Sequence, residues 1–270
     1  MKKIVILLGL ILISFTVVLA QEPSTVDTPK GKRNPQKPVV IKDDGLGHKL
    51  NFGLSFAPTI DWMFPSTTGF ERSGSSFGMR YGLNINVNLT LRKNYYVSTG
   101  FMIERLGGKM KFIDNIAFPI PIDSFTVTTT GIDRHYKAHY LTIPLGITLK
   151  SGSMRNFFIV GNFGLYNSIL LRASNSDTYT FSNWQTGEPE YWTKQSTPSS
   201  ETALFKESAY AGLGFEYSIT KNCRAGVTVN YAHSLTNYFK GRGNAQNNFT
   251  HEDQIAKLGY LELVFNINFF

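Results

Sequence analysis

FGMRYGLNINVNLTLRKNYYVSTGFMIERLGGKMK, residues 77–111, holds two alternating runs joined by the basic turn Arg92-Lys93-Asn94. In the first run Phe77, Met79, Tyr81, Leu83, Ile85, Val87, Leu89 and Leu91 take every odd position. Gly78, Arg80, Gly82, Asn84, Asn86, Asn88 and Thr90 take the even ones. A β-strand sends successive side chains to opposite faces, so one face here is wholly apolar and the other wholly polar or glycine. A sheet in a soluble protein covers its apolar face with a second layer of strands or helices. The chain holds no segment suited to that layer, so the expected cover is lipid, and the polar face lines the inside of a closed barrel.

Working outward, the same alternation recurs. Residues 48–60 carry Leu50, Phe52, Leu54, Phe56 and Ile60 on one face, and Trp62 and Phe64 follow where an aromatic belt meets a membrane surface. After the turn, Tyr95 and Tyr96 begin a strand with Val97, Phe101 and Ile103 opposite Ser98, Gly100 and Glu104. Further strands are expected at 135–150, 157–172, 204–220, 224–238 and 255–270. Pro144 falls inside one of them, and because proline lacks the ladder donor a local break in pairing is expected there. Each of the eight strands is long enough to cross a bilayer, which takes roughly 9–11 tilted residues. The connections alternate strictly long and short. The sequence therefore predicts an all-β, eight-stranded up-and-down antiparallel transmembrane β-barrel, with short periplasmic turns at one end and long extracellular loops at the other. Both termini then lie in the periplasm. The short turns are basic, with Arg92 and Lys93, Lys150 and Arg155, and Lys221 and Arg224, and are expected at phospholipid headgroups.

The first residues fit export. Lys2 and Lys3 precede an apolar run, Ile4 to Leu19, that ends in Val18-Leu19-Ala20 before Gln21, so residues 1–20 read as a signal peptide cleaved between Ala20 and Gln21. Residues 21–47, with four prolines and balanced charge, read as a flexible periplasmic linker, and 48–270 as the barrel. Of 270 residues 42% are hydrophobic and 17% charged, and the formal charge is +8. That excess is too modest to point to nucleic acid. The single cysteine, Cys223, has no internal disulfide partner and sits in a turn without a nearby His or carboxylate, so it reads as a bystander.

The segments Tyr140-Leu141-Thr142-Ile143-Pro144-Leu145 and Gly212-Leu213-Gly214-Phe215-Glu216-Tyr217, with the terminal phenylalanine, resemble the PorT-like outer-membrane β-barrel family of Bacteroidota. The resemblance covers residues 48–270. It implies an outer-membrane location, a barrel filled by its own side chains, and insertion by the outer-membrane assembly machinery, which reads a terminal aromatic; Phe269 and Phe270 are the candidates for that assembly signal. A secretion-system partner is a possibility that the family name raises and these residues do not single out.

Four inward charges, Arg80, Glu104, Glu216 and Glu262, are expected to form an internal polar network, because a charge inside a barrel must be paired or wetted. Arg80 and Glu104 lie at similar heights on adjacent strands, and a bridge between them is expected. The same charges leave open a gate that works by exchanging ion-pair partners. Tyr179, Phe181, Trp184, Tyr191 and Trp192, in the longest connection, are the candidates for contact with an extracellular ligand; the alternative is a hairpin that continues the flanking strands and turns at Gln185-Thr186-Gly187. His233-Ser234 with Glu262 resembles the residue set of outer-membrane lipid A deacylases, but neighbours on a strand point to opposite faces and the deacylase pattern spaces them differently. His135 and His139 are four apart, an offset that suits a metal site on a helix and not on a strand. No catalytic, metal or cofactor site is expected. The preferred function is a non-enzymatic barrel with a structural or binding role through its loops, in contact with outer-membrane lipids. A small gated pore and a lipid-modifying enzyme are the alternatives.

Overall fold

The computed structural model describes residues 50–66, 70–88, 94–112, 129–151, 156–182, 189–196, 202–240 and 255–269. Nine strands fill these ranges: β1 (Leu50–Pro65), β2 (Phe70–Asn88), β3 (Tyr95–Phe112), β4 (Thr129–Lys150), β5 (Phe157–Ser182), β6 (Pro189–Ser196), β7 (Phe205–Thr220), β8 (Cys223–Ser234) and β9 (Ala256–Phe269). All pairings are antiparallel, and eight of the strands close a ring in the order β1-β2-β3-β4-β5-β7-β8-β9, with β9 returning to β1. β6 stands outside the ring. It pairs with the upper part of β5, from Asn175↔Ser196 to Ser182↔Pro189, so most of the longest connection is the hairpin that continues the strands. Residues 183–188, with Trp184 and the expected turn Gln185-Thr186-Gly187, lie outside the described residues, as do the signal and linker segments with Ala20 and Gln21, and Phe270.

Closure follows from the alternation. Phe77, Leu83, Phe101, Leu145, Phe163, Phe215 and Phe265 point outward in an unbroken apolar belt, and around the ring the described ladders are interrupted only at two prolines and at register shifts, the longest between Gly74 and Met79 on β2. Opposite Pro144 the β3–β4 ladder skips from Thr99↔Leu145 to Met102↔Thr142 with no change of register, while its β5 side stays paired. Pro58 interrupts the β1–β9 ladder in the same way, between Phe56↔Phe265 and Thr59↔Glu262. A missing donor thus costs one side of one pairing and leaves the strand intact.

The strands run further at the loop end than the alternation of apolar residues suggested. β2 begins at Phe70, β4 at Thr129, and β5 ends at Ser182. Above the belt the period of two persists, but its sense reverses. On β4 the outward residues change from Leu145, Ile143 and Leu141 to His139, Lys137, His135 and Asp133, whereas the inward ones change from Thr148 and Thr142 to Tyr140, Ala138, Tyr136 and Ile132. β2 to β6 therefore raise a wall above the belt, while β7, β8, β9 and β1 stop lower.

Candidate functional site

Three layers fill the lumen. The middle one is ionic. Arg80 of β2 forms an ion pair with Glu262 of β9, and Tyr166 of β5 sits between them: its hydroxyl accepts from Arg80 Nη2 at 2.7 Å and donates to Glu262 Oε1 at 2.7 Å. Asn230 Nδ2 donates to the same oxygen at 2.8 Å. The Arg80 guanidinium also lies 4.0 Å from the centroid of the Tyr166 ring, which stacks on Tyr210 at 4.1 Å. Glu104 of β3 faces Arg80 directly in register, yet its ion pair is with Lys206 of β7, at 2.7 Å. Ser168, itself 2.8 Å from Thr142, donates to Glu104 Oε1 at 2.9 Å.

The expected Arg80–Glu104 bridge is thus replaced by two bridges that cross the lumen. Closing eight staves brings β7 and β9 nearer to these two side chains than the in-register neighbour, and each new pair adds a hydroxyl or amide donor on its carboxylate. Lys206 was missed by the sequence reading. It shares the inward phase of Ser208 and Glu216, and that phase was the available signal.

Toward the short turns lies the second layer. Glu216 pairs with Lys150 at 2.7 Å and accepts from Asn268 Nδ2 at 3.1 Å. Lys150 and Arg224 are therefore not headgroup-facing turn residues: both are buried, Lys150 Nζ lies 5.0 Å from the Tyr96 ring centroid, and Arg224 lies over Phe158 and donates to Ser218. An inward carboxylate stabilises the lysine inside, where the turn would have offered only solvent. Lys221 is exposed, and Arg92, Lys93 and Arg155 lie outside the described residues. Between this layer and the ionic one is a polar cavity of about 70 Å³, lined by Arg80, Asn84, Asn162, Thr228, Asn230 and Asn268 among others. It has room for a few waters, each needing about 10–15 Å³. Arg80 Nη1 and the Oδ1 atoms of Asn84, Asn162 and Asn230 have no protein partner among the described residues, which suits a hydrated chamber.

Asparagine and glycine share the space here by rows. Gly53 stands in register between Asn84 and Asn268, which hydrogen-bond each other at 3.0 Å; a methyl group on Gly53 would come within 2.3 Å of both side-chain oxygens. Gly212 stands likewise between Asn162 and Asn230.

The third layer, at the loop end, is apolar. Met63, Leu106, Met110, Tyr136, Tyr140 and Leu258 form its body, and Tyr238 and Phe239, from the chain beyond β8, fold onto it, both edge-on to Tyr136 at 5.6 and 5.4 Å. All are buried, so this layer closes the lumen above the charges.

On the outer surface, Trp62 and Phe64 of β1 meet Tyr231 and His233 of β8, with Arg72 over the Trp62 ring at 5.5 Å. His233 faces outward, whereas Ser234 is buried and donates to the carbonyl of Thr236 at 2.9 Å, and Glu262 is committed to Arg80. These three side chains do not meet. Among the described residues no group of three His, Cys, Asp or Glu side chains is placed to hold a metal. Of the aromatic contact candidates, Tyr191 of β6 is exposed (69%), but Tyr179 turns inward and is buried, its hydroxyl 3.4 Å from Asp177, which also takes a two-pronged ion pair from Arg134 at 2.5 and 2.6 Å. Phe181 and Trp192 lie on β5 and β6, with only their backbone described.

Residues 34–240 match the family described as outer membrane protein beta-barrel domain, and the chain belongs to that family. No curated protein matches the sequence. Among solved structures, Neisserial surface protein A (NspA) is 9% identical, with 82% of this chain and 97% of that one covered and a TM-score of 0.40. The attachment invasion locus protein Ail of Yersinia pestis is 13% identical over 82% of this chain and 100% of its own, with a TM-score of 0.32. The outer membrane protease OmpT of Escherichia coli is 13% identical over 83% and 97%, with a TM-score of 0.35.

Proposed function

We propose that this member of the outer membrane protein beta-barrel domain family is a non-enzymatic barrel with a structural or binding role, exercised through the wall and loops it raises above the membrane. The wall faces the outside of the cell, and the short turns and both termini face the periplasm. The observation that carries this is the filled lumen: charges paired across its middle and an apolar layer above them leave the outer surface as the part able to meet a partner. β6 adds an antiparallel edge and an exposed tyrosine there. Residues 1–20 act as the export signal, and Phe269, which is exposed on the lipid face, with Phe270 serves the assembly machinery. A place among the PorT-like barrels of Bacteroidota rests on the segments 140–145 and 212–217 and the terminal phenylalanine.

A Tyr191→Cys substitution in a Cys223→Ser background tests this. A membrane-impermeant maleimide should label Tyr191→Cys on intact cells, and purified protein in planar bilayers should show no conductance steps. Labelling only after lysis would reverse the orientation. The polar cavity below the apolar layer supports one second reading, a gated pore, and steady conductance would select it.

A further inference from the structure

On β3, β4 and β5 the change from apolar to charged residues falls on one row of the sheet. Arg105 lies opposite His139, and His139 opposite Arg172. Directly below that row the outward residues are Ile103, Leu141, Ile169 and Leu171, and directly above it come Lys137 and then Lys109, which faces His135. Arg105 and Arg172 are two strand spacings apart, about 10 Å. Among the described residues none of Arg105, Lys109, Lys137 and Arg172 forms an ion pair with a carboxylate. Lys111, one step higher, differs: Glu71 and Asp133 face it from the two neighbouring strands. Ser76 Oγ lies 2.8 Å from His135 Nε2, and burial first, then the charges of Lys137, Lys109 and Arg105, lower the basicity of His135.

Four unpaired cations in so small an area repel one another, and a solvated face would normally intersperse carboxylates among them. What fits is an anion held at the height where the lipid-facing surface ends. A free anion would match the charge but not the apolar belt beneath. We propose that Arg105, Arg172, Lys137 and Lys109, with His139 between the two arginines, form a binding site for the phosphate groups of an acylated glycolipid in the outer leaflet, whose acyl chains lie along Ile103, Leu141 and Leu171. Placing this lipid in the outer leaflet rests on the orientation proposed above, while the phosphate chemistry does not. Arginine forks bind phosphate through two parallel hydrogen bonds, and phosphates about as far apart as the two arginines would be clasped at once.

The probe is bisphosphorylated lipid A, and binding is measured on the folded full-length barrel in zwitterionic micelles, by native mass spectrometry and fluorescence titration. Wild type should retain bisphosphorylated lipid A, and the Arg105→Gln/Arg172→Gln double variant should bind it at least tenfold more weakly while keeping the heat-modifiable gel mobility of a folded barrel. Lys111→Gln, which lies above the row with Glu71 and Asp133 in register on either side, should bind as wild type. Equal binding of dephosphorylated lipid A, or wild-type affinity in the double variant, would overturn the site. Inorganic phosphate binding as tightly as the lipid would overturn the lipid as its occupant. If Tyr191→Cys is unreactive on intact cells while phosphate-dependent lipid binding persists in micelles, the orientation fails and the site stands.

Discussion

β4 belongs to two regions that obey opposite rules. Between Tyr140 and Lys150 it turns leucine and isoleucine outward and threonine and lysine inward; between Thr129 and His139 it turns lysine and histidine outward and isoleucine and tyrosine inward. The strand is continuous throughout, and the ladder to β5 runs through both parts with two register shifts, one at its start between Thr129 and Gly131 and one at His139/Tyr140, where the sense reverses. The surroundings set which face is apolar: lipid below rewards apolar side chains outside and leaves the lumen to polar groups, and water above restores the ordinary arrangement. One strand therefore records the height of the membrane surface to within a residue or two.

The sharpest break in this contrast is at the charges below. Arg80→Met should cost about 3–5 kcal/mol in urea unfolding, because Glu262 is left as an unpaired buried carboxylate. Removing both, as Arg80→Met/Glu262→Leu, should cost less than either single change, and a double variant at the sum of the singles would show the pair to be independent. Next comes the outward face. Leu145→Arg, near the middle of the belt on β4, should destabilise by about 2–4 kcal/mol, whereas Lys137→Leu, above the reversal, should stay within about 0.5 kcal/mol. Equal costs at the two positions would place both in the same solvent and erase the boundary.

A smaller effect is expected at Tyr166. Its hydroxyl bridges Arg80 and Glu262, so Tyr166→Phe should lose about 1–3 kcal/mol with the barrel otherwise folded. The smallest concerns His135, on the wall. Burial first, then the charges of Lys137, Lys109 and Arg105, pushes its pKa down from 6.5 to about 4. The unfolded chain takes up this proton near its ordinary value and the folded one only near the lowered value, so the contribution is whole above about pH 6.5 and fades as the pH falls toward 4. The half-buried ring makes this a small slope, and ring-proton NMR titration of the folded barrel reads it directly. A midpoint at or above 6.5 would remove it.

The spanning staves were legible because lipid and lumen mark alternate residues, and Phe77 to Leu83 shows it without an interruption. The upper wall was not, because a search for outward apolar residues fades where the sense reverses: 70–76, 129–134 and 173–182 fall outside the expected strands, and the inward Ile132, Ala173 and Tyr179 are what mark the last two as sheet. Ion pairing inside was half legible. Phase alone turned Arg80, Glu104, Glu216 and Glu262 inward, but their partners depend on which staves stand across the closed ring, and linear neighbours do not reveal that. Lys150 misled because it is both the last residue of a stave and the first of a turn, and its inward phase outweighed its position.

The rows in which Gly53 sits between Asn84 and Asn268, and Gly212 between Asn162 and Asn230, bear on how such an interior changes over time. A side chain added at Gly53 collides with groups on both adjoining staves, so it survives only if an asparagine on one of them shrinks in the same lineage. Substitutions in the lumen would then travel around the ring in compensated sets. Positions such as 53, 84 and 268, scattered along the chain, should covary as a unit, while residues two apart on one stave drift independently.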